Sequence, residues 1–336
     1  MKIAILSSIA WRTPPRKYGP WEQVASYLAE GLHARGIDVT LFATSDSITK
    51  AKLDATCAVP YAEDAQVDAK VVECIHISNV MEKADQFDLI HNHFDFLPLT
   101  YSKLIQTPVL TTIHGFSSQK IKAVYRKYNA STHYVSISDA DRDNDLDYAA
   151  TVYNGIDEKA FPMVTNPDDY LLFFGRIHPD KGTREAIQIA KQSGRKLLIA
   201  GLIQDEVYFE KEVKPHIDFK TVFYCGNVGP EERKTLLGMA LAMLHPIRFE
   251  EPFGLSVAES MFCGTPVIAF RRGSMPELIR HGKTGFLVDT VEEAVEAVKQ
   301  IKTIQRQDCA EWAQSMFSKD KMVEGYIRVY EKILGL

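Results

Sequence analysis

Two groups of residues in the second half of the chain have types and spacings that suit chemistry on a diphosphate. The first is Gly175-Arg176 with Lys181-Gly182. An arginine offers a planar fork to phosphate oxygens and a lysine a mobile point charge, and both stabilise a diphosphate that gains charge as it leaves. Taken alone, such a pair is more often two solvated loop charges. The second group runs from Glu250 to Pro266. Pro252 and Phe253 lead into a helix whose apolar face holds Leu255, Ala258, Met261 and Phe262, and Gly264 closes it. The amides of Gly254 and Leu255 then lie at a helix N-terminus, where the dipole favours an anion. Glu259, one turn in and off the apolar face, can reach two adjacent hydroxyls. Glu251, just ahead of the helix, can accept hydrogen bonds from a sugar or steady positive charge at an anomeric carbon. Singly, each glutamate also fits an ordinary acidic first turn.

These residues need elements to carry them. Ile3–Leu6 is the kind of apolar run shown by a strand buried on both faces. Trp21, Val24, Leu28 and Leu32 recur at helical spacing, with Gly36 where a left-handed cap would stop the helix. Further strands read at 39–43, 89–93, 109–113, 134–137 and 151–153. The alternation restarts with a strand at 170–174 and a helix through Ala186 to Gln192, capped at Gly194. Strands follow at 196–200, 221–224, 242–245 and 266–270. This alternation predicts two doubly wound, Rossmann-like α/β domains, 1–157 and 158–317, with a hinge near 154–169. A C-terminal helix, about 318–336, follows; periodicity leaves its packing open, and a return onto the first domain is one placement. Ligands in such sheets bind beyond the carboxyl ends of the strands, where both groups of residues fall.

Composition narrows the partners. The 336 residues carry 39 Lys and Arg against 44 Asp and Glu, a net charge of −5, which argues against nucleic acid. Residues 1–157 hold 15 basic against 19 acidic side chains, which argues against stable membrane attachment. No stretch reaches the roughly 18 apolar residues a membrane helix requires. Five scattered cysteines suggest a reducing compartment, and the N-terminal apolar run is too short for a signal peptide. The expectation is a soluble, cytoplasmic protein. No GxGxxG follows a strand and no GxxxxGK[ST] is present, which removes support for hydride transfer and P-loop ATP hydrolysis. No Ser-His-Asp order suggests a nucleophilic hydrolase.

Glu251-x7-Glu259, Gly264-Thr265-Pro266-Val267-Ile268-Ala269, Gly273-Ser274-Met275-Pro276-Glu277 and Gly282-x-Thr284-Gly285-Phe286 occur in an order that resembles family 4 glycosyltransferases. Gly175-Arg176 with Lys181-Gly182 matches at the expected place. Tyr18-Gly19-Pro20-Trp21-Glu22 looks like that family's N-terminal glycine-rich loop, Ile113-His114-Gly115 like its cleft histidine, and Tyr153-Asn154-Gly155-Ile156-Asp157 like its interdomain segment. The resemblance covers nearly the whole chain. It implies the GT-B architecture, two Rossmann-like domains facing a cleft, and retaining transfer from a nucleotide diphosphate sugar to a hydroxyl acceptor without a cofactor. By the same resemblance Arg176 and Lys181 bind the donor diphosphate, Glu259 the ribose hydroxyls, and Glu251 the sugar, with the backbone of Phe253, Gly254 and Leu255. Gly175 belongs with the diphosphate loop. Gly19 offers an amide to phosphate, and His114 contacts the sugar. The segment Cys225-Gly226-Asn227-Val228 is the candidate for base recognition, with UDP- and GDP-linked donors equally open. Two departures stand out: Pro20 replaces the second glycine of the N-terminal loop, and the first domain is short.

Two rival functions share these residues: a nucleotide-sugar epimerase, and a subunit that binds a nucleotide sugar without catalysis. His91-Asn92-His93 and Asp145-Leu146-Asp147 carry metal-ligand types, but a strand end and a solvated face explain them more simply, so no metal is expected. Ser138 is expected to cap a helix through the acidic run. The basic stretch Lys120–Lys127 is either a surface helix or a guide for an anionic acceptor or membrane surface.

Overall fold

Apolar runs too short for helices become buried strands in both halves of the chain, and each half forms its own parallel sheet. The computed structural model describes all 336 residues. They divide into Met1–Gly155 with Lys319–Leu336, and Ile156–Ser318.

The first unit holds β1 (Lys2–Leu6), β2 (Asp38–Phe42), β3 (Lys52–Asp54), β4 (Leu89–Asn92), β5 (Val109–Ile113), β6 (His133–Ser136) and β7 (Tyr148–Thr151) in the order β3-β2-β1-β4-β5-β6-β7. Its strand order reverses between β1 and β4, which places a switch point there. The helix Lys319–Leu334 belongs to this unit. It packs on the helix Pro20–Ala34 so closely that a Cβ on Gly31 would lie 2.4 Å from Val323 Cγ2, and Arg35 reaches Asp320 at 2.9 Å.

The sequence pattern misplaces three features here. The last strand lies at Tyr148–Thr151 rather than 151–153, because Tyr148 pairs in register with Tyr134. The three-residue edge strand β3 carries too short a pattern to stand out. No helix follows Ser138; its hydroxyl accepts from the Asp141 amide at 3.1 Å within a series of turns. Asp143 likewise accepts from the Asp145 amide at 2.9 Å. Such local bonds from Asp and Ser compete with helical ones.

The second unit holds β8 (Tyr170–Phe174), β9 (Lys196–Ala200), β10 (Val222–Tyr224), β11 (Ala242–His245), β12 (Val267–Phe270) and β13 (Gly285–Val288), ordered β10-β9-β8-β11-β12-β13. Here the switch point falls between β8 and β11, and the loops leaving these two strands carry Arg176, Lys181 and Glu251. The strand β13 was not foreseen, its four residues following immediately on a glycine turn.

Candidate active site

In the second unit, the loop after β8 turns at Gly182, which caps the helix Thr183–Gln192 at φ 74°. A Cβ there would sit 1.9 Å from the Pro246 carbonyl oxygen, so only glycine lets the loops after β8 and β11 meet. The Arg248 amide adds a 2.7 Å bond to the Asp180 carbonyl. This junction brings Lys181 to Glu251: Nζ donates to Oε2 at 2.6 Å, and both side chains are nearly buried. His245, at the end of β11, places Nε2 3.4 Å from the same oxygen, close enough to feel its charge but outside hydrogen-bond geometry. Burial pushes the Glu251 carboxyl up, but the Lys181 ammonium and His245 outweigh it and hold it at about 2. Glu251 is therefore a carboxylate at any working pH. Burial holds the His245 imidazole below its ordinary value despite that carboxylate.

The segment after β12 locks this arrangement. The Ser274 amide donates to the Glu251 carbonyl at 2.9 Å, the Gly273 amide to Glu250 Oε2 at 2.5 Å, and Ser274 Oγ to the Phe253 carbonyl at 2.7 Å. Gly254 then caps the helix Leu255–Phe262 in a left-handed conformation, φ 92°. The first bonds to its carbonyl come from Val257 and Ala258, which leaves the Leu255 and Ser256 amides ahead of the helical ladder. The Phe253 ring is core packing against Phe317 at 5.7 Å. Arg176 is half-exposed and donates to Gln204, and the Gly175 amide is held by the Ala200 carbonyl at 3.1 Å. Val228 is buried just before the helix Pro230–Met239. That helix delivers an unforeseen residue: Arg233 donates to Glu259, which is itself only 3% exposed. Burial raises the Glu259 carboxyl, with the Arg233 guanidinium pulling the other way.

In the first unit, side chains two apart on a strand share a face. His91 and His93 therefore line up beside Thr112 and His114. His91 engages both ring nitrogens, with the Tyr330 hydroxyl and with Thr112 Oγ1, each at 2.7 Å. Thr112 also meets the Tyr326 hydroxyl at 2.8 Å. His93 Nδ1 lies 2.9 Å from His114 Nε2, and Trp21 stacks on His114 at 5.5 Å. Burial drives all three imidazoles down, His114 to about 3, so they are neutral. Asp145 pairs with Arg126 at 2.7 Å, and Asp147 with Asn129. Lys122 pairs with Asp143 at 2.6 Å, so Lys122 and Arg126 are neutralised and the basic stretch presents less charge than its sequence suggests.

Gly19 precedes the helix Pro20–Ala34, and Pro20 occupies its first position, where a missing N–H costs the helix nothing. Glu22, which closes the loop motif but had no role assigned from sequence, is buried there and accepts from the Trp11 amide at 3.3 Å. Burial pushes it up to about 7, against bonds from its own amide, Ser8 and Trp11. A carboxyl raised in the fold stabilises fully below its unfolded value near 4.5, and that contribution is lost as the pH rises through about 7. Glu22→Gln is expected to gain on the wild type by about 2–3 kcal/mol between about pH 5 and about pH 8. Melting both proteins at the two pH values checks this; a constant difference would show that Glu22 does not titrate there.

Residues 157–316 match the family of Glycosyl transferases group 1, and residues 21–160 match Glycosyltransferase Family 4. The chain is a family 4 glycosyltransferase. An uncharacterized glycosyltransferase of Methanocaldococcus jannaschii is 24% identical over 335 residues, covering 86% of this chain and 85% of that one. A 41.2 kDa protein in the cps region of Klebsiella pneumoniae is 32% identical over 170 residues, 48% of this chain and 46% of that protein, so the match spans about half of each. Among solved structures, AviGT4, a glycosyltransferase involved in avilamycin A biosynthesis, superposes with a TM-score of 0.76 at 22% identity, covering 100% of this chain and 98% of that one. Anabaena HepE in complex with UDP and glucose gives 0.75 at 18% identity, with complete coverage of both chains. The transferase thus has the GT-B pair of Rossmann-like sheets. None of its helices is long and apolar enough to cross a membrane.

His245, Arg233, Glu22 and Trp21 lie beside the candidate residues Glu251, Glu259, Gly19 and His114, and the sequence assigned none of the four a role in the site. His245-Pro246 at a strand end offered a sequence signal for the first. Arg233 offered none, because its meeting with Glu259 depends on how two helices pack.

Proposed function

We propose that this glycosyltransferase moves a hexosyl unit from a UDP- or GDP-linked donor to a hydroxyl acceptor with retention of anomeric configuration. The observation that carries the reading is the Lys181–Glu251 pair, held at the junction of the loops after β8 and β11, beside the N-terminus of Leu255–Phe262. Arg176, Lys181 and that helix terminus would stabilise the leaving diphosphate. Glu251 would face the sugar, and its ionised carboxylate suits the positive character that develops at the anomeric carbon. The leaving diphosphate can take the acceptor proton as the hydroxyl attacks from the same face, so no enzymic nucleophile is needed. For His114 the family resemblance implies a sugar contact, and its neutral ring can serve as a hydrogen-bonding group. Exposed, unpaired Cys74 and Cys225 fit a reducing, cytoplasmic setting.

The test offers UDP- and GDP-linked hexoses with hydroxyl acceptors and measures acceptor-dependent release of nucleoside diphosphate, with product configuration read by NMR. Retention is expected; an inverted product would refute the same-face mechanism. A chelator added to the same assay is expected to leave the rate unchanged, because Asp145, Asp147 and His91 are already engaged by Arg126, Asn129, Tyr330 and Thr112. Activity lost to the chelator and restored by magnesium or manganese would overturn that part.

A further inference from the structure

Arg233 stands outside every motif the sequence displays. It projects from the helix Pro230–Met239 and reaches the helix Leu255–Phe262, where it donates to Glu259 Oε2. Its guanidinium lies over two aromatic rings, Phe174 at 5.2 Å and Phe161 at 5.7 Å. Phe174 ends β8, the strand that leads into Gly175-Arg176. Arg233 Nε is buried with no hydrogen-bond partner in the protein. An arginine accepts that cost only where its remaining contacts hold it, here the aromatic faces and the carboxylate. Glu259 in turn has no other cation beside it, and an isolated buried carboxylate would take up a proton.

The state of Glu259 decides what it recognises. An ionised carboxylate is acceptor-only and suits two adjacent hydroxyl donors; a protonated one offers a donor in place of an acceptor. We infer that Arg233 is a positioning residue that holds Glu259 as an oriented carboxylate and thereby makes the nucleotide site selective for ribose over deoxyribose. This rests on the assignment of Glu259 to the ribose hydroxyls. The effect of Arg233 passes through Glu259, the one carboxylate it pairs with.

The experiment measures binding of UDP, 2′-deoxy-UDP, GDP and 2′-deoxy-GDP to the full chain by calorimetry. In the wild type, the preferred ribonucleotide should bind about tenfold or more tighter than its deoxy form, as expected for a hydrogen bond to a charged group. In Arg233→Met that preference should shrink to about threefold or less, and Arg233→Lys, which restores the charge, should recover most of it. If Arg233→Met does not fold, Arg233→Gln takes its place. Loss of affinity for both sugars in equal proportion, with the preference intact, would overturn the proposal, since a merely structural residue would act that way. A preference that Arg233→Lys fails to recover would overturn it too. Equal binding of ribo and deoxy forms by the wild type, or no nucleotide binding at all, would instead remove the ribose assignment beneath it.

Discussion

Lys181→Ala is expected to lower turnover at saturating donor about a hundredfold or more, the scale seen when one transition-state donor is removed. The same change should lower the melting temperature. Lys181 Nζ lies 2.6 Å from Glu251 Oε2, and the two side chains are only 13% and 11% exposed. Removing one partner of a buried pair leaves the other charge uncompensated, at about 3–5 kcal/mol. The Glu251 carboxyl, released from its nearest cation, should rise from about 2 towards the ordinary range. These two effects can be separated. In Lys181→Ala/Glu251→Gln the uncompensated charge is gone, so stability should recover relative to Lys181→Ala, a coupling that shows as non-additivity. Turnover should not recover, because the cation for the diphosphate is still missing. Near-normal turnover in either variant would remove Lys181 from the leaving-group role.

Residues whose own types suit chemistry stand out in the sequence, and the structure brings two of them, Lys181 and Glu251, together. Arg176, Lys181, Glu251 and Glu259 stand in motifs with fixed spacing, and apolar runs such as Tyr170–Phe174 and Ala242–His245 identify buried strands because nothing else explains so compact a run. Relations across the fold were not legible. Lys181 reads as a free cation in the sequence, yet it neutralises Glu251, seventy positions away in the chain. Glu259 reads as an exposed helix face, yet the helix Pro230–Met239 covers it with Arg233. His91 and His93 read as possible ligands, but they form one face with Thr112 and His114 that Tyr326 and Tyr330 seal. The acidic run after Ser138 had helix-like length but residues that bond their own backbone, and local chemistry prevailed. For Lys181, Glu259 and the two histidines the missing information is a long-range contact, which no local pattern encodes.

The second large effect separates the two glutamates that the motif treats as one. Glu251 is already ionised in the resting protein and is assigned to the sugar, where its charge matters as the anomeric carbon becomes positive. Glu251→Gln keeps the shape and removes that charge. It also frees Lys181 for the diphosphate, so donor affinity should hold or improve while kcat falls about a hundredfold. Glu259 is held by Arg233; if it meets the ribose, as proposed, that contact lies away from the reacting bond and should change little as the bond breaks. Glu259→Gln should therefore raise the donor KM about tenfold or more with kcat nearly unchanged, the pattern of uniform binding. Steady-state kinetics with varied donor at saturating acceptor reads both. If Glu251→Gln also raised KM and spared kcat, Glu251 would be a binding residue only. Catalysis would then rest on Arg176, Lys181 and the helix terminus, with no carboxylate stabilising the sugar's positive charge.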